Sequence, residues 1–355
     1  MGIFYFLLFV LLLLSFSRNS QSKLGGFSIF LLAFINAFRG IDVGSDTINY
    51  YNNNFDGIFS LNFTSTYELE WAFQSISRFI YLSNLDSRWC VFILSFITFI
   101  FIYFASKRFQ KQMNLSLVMV SLMFFLLDFY TLSFNIARQV AAISILFYAY
   151  SFLYDKRNFQ FFFWVFIASG FHLSSILFSL IYFLKNIDFS KISFKLLFVT
   201  AYSTFFLVLV FKTVLLDLVL SKFPAMSLYD HLIEDTETTN KSNIFYMYEF
   251  VKLNINLYVA HNLLKNGSNK YVNIFIISIF AGLLFNAFYG NISRIILGLS
   301  IINVIILASY FSKDSLNQKD KVVYIATILI YSWTVLRSLS GGAHDVIPYY
   351  MTLFS

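Results

Sequence analysis

Apolar runs of 15 to 26 residues recur along this chain from end to end, and no other feature limits its fold so strongly. A run of that length is about what a helix rising 1.5 Å per residue needs to cross the hydrocarbon of a bilayer. In lipid every backbone N–H and C=O must be satisfied inside the protein, which leaves helices and closed barrels. A barrel would show alternating segments of about ten residues, and these are absent. Only 12% of the residues are charged, about half the share of a soluble domain. The sequence therefore predicts an all-α, polytopic integral membrane protein. The first run, Gly2 to Phe16, lacks the basic region of a cleavable signal and is read as a retained first span. Cys90 is the single cysteine, so no intrachain disulfide and no thiolate metal cluster is expected. With no internal repeat and no soluble stretch, residues 1–355 are expected to form a single transmembrane domain, with outer-face loops at 39–88 and 212–243.

Basic residues orient the spans. One threading puts the loops 18–23, 106–113, 155–158, 185–195, 265–270 and 312–321 in the cytoplasm, and these hold 15 of the 25 Lys and Arg. The stretch from Lys212 to Asn243, rich in acids, then faces outward. The net charge of +7 becomes an anchor on the inner face, and a nucleic-acid partner is not expected. This threading needs the run Phe159 to Leu184 to be a helical hairpin turning near Gly170-Phe171-His172, because a single tilted span would reverse every later loop. Lysine alone would serve topology. Yet only three of the 15 inner basic residues are arginine, against six of the 10 outer ones: Arg39, Arg78, Arg88, Arg138, Arg294 and Arg337. Arginine offers forked hydrogen bonds to phosphate or carboxylate.

Arg138 is the sharpest case, because it lies about nine residues into the run Phe129 to Tyr154, where a cation needs a partner or water. Helical spacing puts Asn135, Arg138, Gln139 and Ala142 on one face. Two readings stand: an arginine that snorkels or pairs with Asp128, or one that grips an anionic substrate. The stretch FRGIDVGSDTINYYNNNF (Phe38 to Phe55) sets polar residues directly behind a hydrophobic run, as recognition of a polar substrate at the lipid–water boundary would require. A capped turn leaving a helix explains it equally simply. Tyr67 to Asn84 reads as an amphipathic helix on the outer leaflet. Its apolar stripe is Leu69, Ala72, Phe73, Ile76, Phe79 and Ile80, and Glu70, Gln74, Ser77, Arg78 and Tyr81 face the other way. Glu68 and Glu70 have no supporting ligand nearby, so no metal and no cofactor is expected. His172 is either a hydrogen-bonded structural residue or a group for acid–base chemistry.

These motifs resemble the EpsG/Wzy family of bacterial polysaccharide polymerases. Arg39, Val43, Gly44, Asp46, Thr47 and Tyr50 match its arginine–V-G-S/T-D-T–tyrosine pattern, with Ser45 as a mild variant. Asn135, Arg138, Gln139 and Ala142 match its N-x-x-R-Q-x-x-A helix. Glu70 fits a glutamate before an aromatic-rich helix, His172 a histidine followed by serine, Arg294 a late arginine, and Ile347-Pro348-Tyr349 a terminal motif. The resemblance runs in order from Phe38 to Tyr349. It implies a GT-C-like fold of about 10–12 transmembrane helices in the bacterial inner membrane, with the active site toward the periplasm.

The implied reaction joins oligosaccharide repeat units carried on undecaprenyl pyrophosphate. The growing chain passes to a sugar hydroxyl of an incoming lipid-linked unit, and undecaprenyl pyrophosphate leaves. On this reading Asp46, Glu70 and His172 are the catalytic candidates, and Arg39, Thr47, Tyr50, Asn135, Arg138, Gln139 and Arg294 bind substrate. The implied partners are the lipid-linked oligosaccharides, the bilayer, a chain-length regulator and a flippase. The product is expected to be O antigen, with capsule and exopolysaccharide open. A lipid-linked oligosaccharide flippase or transporter, and another membrane transferase such as an O-antigen ligase, remain as alternatives. A carrier should show related halves and helices interrupted near the midplane, whereas Pro224 and Pro348 are the only prolines and both fall outside the confident spans.

Overall fold

The apolar runs fold as helices, and local breaks cut several of them short. A computed structural model of the chain describes residues 1–16, 21–45, 47, 70–113, 115–222, 243–267, 270–285, 294, 296–313 and 316–352. They form α1 (Gly2–Ser15), α2 (Gln21–Ala37), α3 (Trp71–Leu82), α4 (Arg88–Met113), α5 (Leu117–Leu126), α6 (Phe129–Asn135), α7 (Ala137–Tyr150) and α8 (Asn158–Ser169). A 3-10 helix, Leu173–Leu180, leads into α9 (Ile181–Leu184), α10 (Phe194–Lys222), α11 (Asn243–Asn266), α12 (Val272–Phe285), α13 (Leu297–Ser300), α14 (Ile302–Phe311) and α15 (Gln318–Ser340). No strand forms among the described residues. The sole extended pairing there is an isolated antiparallel bridge between Arg39 and Met351.

Among the described residues three helices are long and apolar enough to cross a membrane: Arg88–Met113, Phe194–Phe211 and Gln318–Ser340. The pair α5 and α6 makes a fourth if taken as one span bent by 60°, and six further apolar helices of 10–17 residues accompany them. Thus several uninterrupted apolar runs do not become uninterrupted helices. At Asp128 the backbone enters the left-handed region (φ 69°), which Asp tolerates better than most residues. At Ile136 it leaves helical geometry (φ −94°, ψ 53°). The run Phe159 to Leu184 breaks at Gly170–His172, where the sequence placed a turn, although its second arm is mostly 3-10 and not α.

Contacts divide the chain into two compact units, Met1–Ser179 with Leu307–Ser355, and Leu180–Ile306. In the first, every residue of α5 is buried, and α7 packs between α4 and α8 with nearly all its side chains covered. A helix apolar all round belongs in such an interior. At the far ends of α4 and α7, Arg108 donates to Ser151 Oγ (2.8 Å) and Asp155 Oδ2 (2.7 Å), joining the two helices. In the second unit α10 and α11 pack on α12. Tyr202 donates to Asn254 Oδ1, and Ser278 Oγ bonds Asn303 Oδ1 at 2.5 Å.

Candidate functional site

The break between α6 and α7 is the place to begin, because it decides where Arg138 points. In an uninterrupted helix the Phe134 carbonyl would accept from the Arg138 N–H and the Ser133 carbonyl from the Ala137 N–H. Here both carbonyls turn to the segment after α2. Arg39 Nη1 reaches Ser133 O (3.4 Å), and Thr47 Oγ1 stands 3.3 Å from Phe134 O. Gly44 permits this approach: its φ of +95° suits glycine, and a Cβ there would lie 2.2 Å from Phe134 O. The polar motif thus caps a helix end that would otherwise bury unpaired carbonyls.

Arg39 is spent in that capping. It is 1% exposed, donating from Nε to Thr47 Oγ1 (3.0 Å) and from Nη1 to Asn36 Oδ1 (3.0 Å). Ser95 and Ser133 complete the network around Asn36 at 2.5 and 2.8 Å. Thr47 gives its proton to Val43 O at 2.7 Å. The end of the chain braces the same loop. The Gly40 N–H donates to Tyr350 O (2.9 Å), Gly44 N–H to Asp345 O (2.8 Å), and Thr352 N–H to Phe38 O (3.0 Å), and Tyr350 Oη bonds Asp42 Oδ2 at 2.9 Å. Gly40 is held to glycine by the Tyr350 ring, 2.1 Å from where its Cβ would stand. The residues flanking the terminal Ile347-Pro348-Tyr349 motif therefore meet the first motif, and Tyr349 Oη donates to Ile35 O just before it at 2.6 Å.

The break also corrects the expected shared face. Asn135 ends α6, while Arg138, Gln139 and Ala142 lie in α7 beyond Ile136. Asn135 instead accepts from Ser45 Oγ, and Asn135 and Gln139 are 9% and 8% exposed. Arg138 opens α7, and the carboxylate that meets it is Glu70, with Nη1 to Oε2 at 2.9 Å. The other oxygen, Oε1, stands 3.3 Å from His172 Nδ1 and accepts from the Leu173 N–H at 3.3 Å. Arg138 also lies over the Phe73 ring, 4.9 Å from its centroid, a favourable cation–π placement. One carboxylate thus joins an arginine and a histidine, 68 and 102 positions further along the chain. Side-chain exposures of 15% for Glu70, 31% for Arg138 and 34% for His172 leave the cluster open to a ligand.

Two docking contacts hold Glu70 there. The first N–H groups of α3 have no partner within their helix, and two of them, Ala72 and Phe73, donate to Gly170 O at 2.9 and 3.2 Å. Trp71 stacks on Phe166 of α8 with centroids 5.6 Å apart. Gly170 must be small, since a Cβ would come within 2.4 Å of Trp71 Cε2. This docking turns α3 from the expected stripe. Ala72, Phe73, Ser77 and Ile80 are buried, whereas Phe79 is 59% exposed. Ser77, assigned to the polar face from the sequence, faces inward because the contacts of Phe73 and the helix start fix the rotation.

Burial on its own would raise the Glu70 carboxyl. The His172 hydrogen bond and the Arg138 guanidinium together outweigh it and hold the group below its ordinary range. A carboxylate so held stays charged at neutral pH and orients its neighbours; as a proton acceptor it is weak. With its Nδ1 hydrogen given to Glu70, His172 presents Nε2 as the nitrogen that accepts a proton.

Of the remaining candidates, Asp46 and Tyr50 lie outside the described residues. Arg294 is half-buried in the second unit, and Arg88 pairs with Asp86 at 3.0 Å. Cys90 is buried on α4. Among the described residues no three His, Cys, Asp or Glu side chains converge to hold a metal ion. Asn36, Ser133, Gly170 and Tyr350 had no assigned role in the sequence; Gly170 was marked only as a turn.

Comparison with known proteins gives one result. The model of the EpsG family matches residues 22–351, nearly the whole chain. No curated protein and no solved structure matches.

Proposed function

Because this chain belongs to the EpsG family, whose members support a polysaccharide-polymerase role in general, we propose that it polymerises oligosaccharide repeat units carried on undecaprenyl pyrophosphate. In this reading a sugar hydroxyl of the incoming unit attacks the anomeric carbon of the growing chain. The bond from that carbon to the pyrophosphate oxygen breaks, and the leaving pyrophosphate takes the electron pair. The hydroxyl proton passes to His172 Nε2. Arg138 meets the charge that grows on the departing pyrophosphate, an interaction stronger in the transition state than before it. Glu70 holds both groups at their positions. No nucleotide sugar is required.

The observation that carries this reading is the single Glu70 carboxylate bridging Arg138 (2.9 Å) and His172 (3.3 Å) at a partly exposed edge. An arginine and a histidine are the cation and the proton acceptor that displacement of a pyrophosphate by a hydroxyl needs. Arg39, Thr47 and Asn135 act here as positioning residues, shaping the loop that carries Asp46 and Tyr50. Those two, with Gln139 and Arg294, are proposed as further contacts to the sugar and phosphate groups. The site faces the outer side of the cytoplasmic membrane, where a flippase delivers units and a chain-length regulator limits the product, O antigen in this reading.

The test is a deletion strain complemented with wild-type, Glu70→Gln or Asp46→Asn protein. Each variant keeps shape and removes charge. The proposal expects a ladder of long polymer with wild type and single repeats mounted on the final acceptor with either variant, at equal protein level. Repeats trapped on the inner leaflet would assign the chain to transport instead.

A further inference from the structure

We propose that the apolar groove between α2 and α4 seats the head-proximal isoprene units of the lipid-linked substrate; this rests on the polymerase reading and adds to it a binding site beyond the reacting atoms. The groove encloses about 530 Å³. It runs from Gly26 on α2 to Phe38 just past that helix's end, twelve steps of the chain, or about 18 Å at the helical rise. Its walls are rings. Phe30, Phe34 and Phe38 form a ladder with centroids 6.1 and 4.7 Å apart, and Phe38 meets Phe92 of α4 at 5.8 Å. Ala33 leaves a recess between these ridges. Phe30 and Phe96 are 63% and 57% exposed along it.

Three features favour the substrate's own chain over a phospholipid tail. First, the groove has a polar end. Its mouth at Phe38 directly precedes Arg39, whose Nη1 reaches Ser133 O at the helix break from which α7 and Arg138 start. At the other end Gly26 and Tyr103 line it. A chain lying in the groove therefore has its head at the end where the Glu70–Arg138 cluster sits. Second, the lining has almost no polar group, so an occupant must place its charged part beyond the mouth, on the side of the partly exposed Arg138. Third, aromatic walls with small residues between them suit a methyl-branched, unsaturated chain, whose branches fill recesses that a straight acyl chain leaves empty.

The experiment uses the full-length protein in nanodiscs of phosphatidylethanolamine and phosphatidylglycerol. The probe is undecaprenyl monophosphate with a diazirine on its chain, and labelled peptides are mapped by mass spectrometry. Label is expected on the peptides holding Phe30, Phe34, Phe92 and Phe96. Excess unlabelled undecaprenyl monophosphate should displace it and excess phosphatidylglycerol should not. Ala33→Phe, which fills the recess, should abolish the label, and the milder Ala33→Leu should weaken it in a protein that melts like wild type. In polymerisation assays Ala33→Leu should raise KM for a long-chain donor about tenfold at unchanged kcat, and leave a dimethylallyl-linked donor, too short to reach Ala33, unaffected. Equal displacement by phosphatidylglycerol (bulk lipid only), label elsewhere, or label indifferent to both variants would overturn the proposal. Groove labelling without any polymerisation supports the site while removing the polymerase reading. Polymerisation with the same chain-length dependence in both proteins removes the site and leaves that reading intact.

Discussion

Arg39 and Arg138 illustrate two uses of one side chain. Arg39 is enclosed, its guanidinium committed to Asn36, Thr47 and Ser133. Arg138 stands at an open edge, held by a carboxylate that a substrate could share. Lysine keeps the charge and loses the fork, so Arg138→Lys should fail nearly as badly as Arg138→Ala in turnover of lipid-linked repeats. The expected loss is about 2–5 kcal/mol, or roughly 30-fold to several thousand-fold in rate, and near-wild-type rates for the lysine protein would reduce Arg138 to a structural residue. Glu70 makes a prediction in pH. Its folded value is lowered, so its pairing stabilises the protein above the unfolded value of about 4, and that contribution disappears as pH falls through the folded value. The melting-temperature gap between wild type and Glu70→Gln should accordingly persist from pH 7 to about pH 5 and close only in stronger acid. A gap that already closes near pH 6 would contradict the pairing.

At the scale of elements, the informative event is a helix that stops. Nothing in the run Phe129 to Tyr154 announces a break at Ile136; no proline or glycine stands there. Its partners lie about ninety positions earlier, in Gly44 and Thr47, which engage the Phe134 carbonyl. Local spacing reads only neighbours in the chain, so the face shared by Arg138, Gln139 and Ala142 was legible and the detachment of Asn135 was not. The same limit applies to α3. Its existence follows from apolar periodicity, but its rotation is set by Gly170 on a distant turn. Removing these contacts should therefore act on the fold. Thr47→Val takes a buried donor from Val43 O and an acceptor from Arg39, at a cost of about 1–3 kcal/mol. Gly44→Ala adds left-handed strain and a clash with Phe134 O, and should cost at least as much. Both are read by thermal melting in detergent, and an unshifted transition in either would mean that the loop does not cap α6.

For the molecule as a whole, composition and run length sufficed for the all-α membrane class, because burying backbone in lipid leaves few solutions. The number of full-length spans was not legible, since a run of apolar residues does not reveal where Asp128, Ile136 or Gly170 will interrupt it. Glu70, Arg138 and His172 were legible as three separate candidates; their meeting on one carboxylate comes from tertiary docking alone. The central claim is that this meeting point catalyses transfer of a polymer from polyprenyl pyrophosphate. The most direct test supplies purified protein with labelled lipid-linked repeat units and counts linkages against released polyprenyl pyrophosphate. Wild type should form a ladder with one pyrophosphate freed per new linkage. Glu70→Gln, folded by thermal melting, should form none. A full ladder from Glu70→Gln would contradict the account.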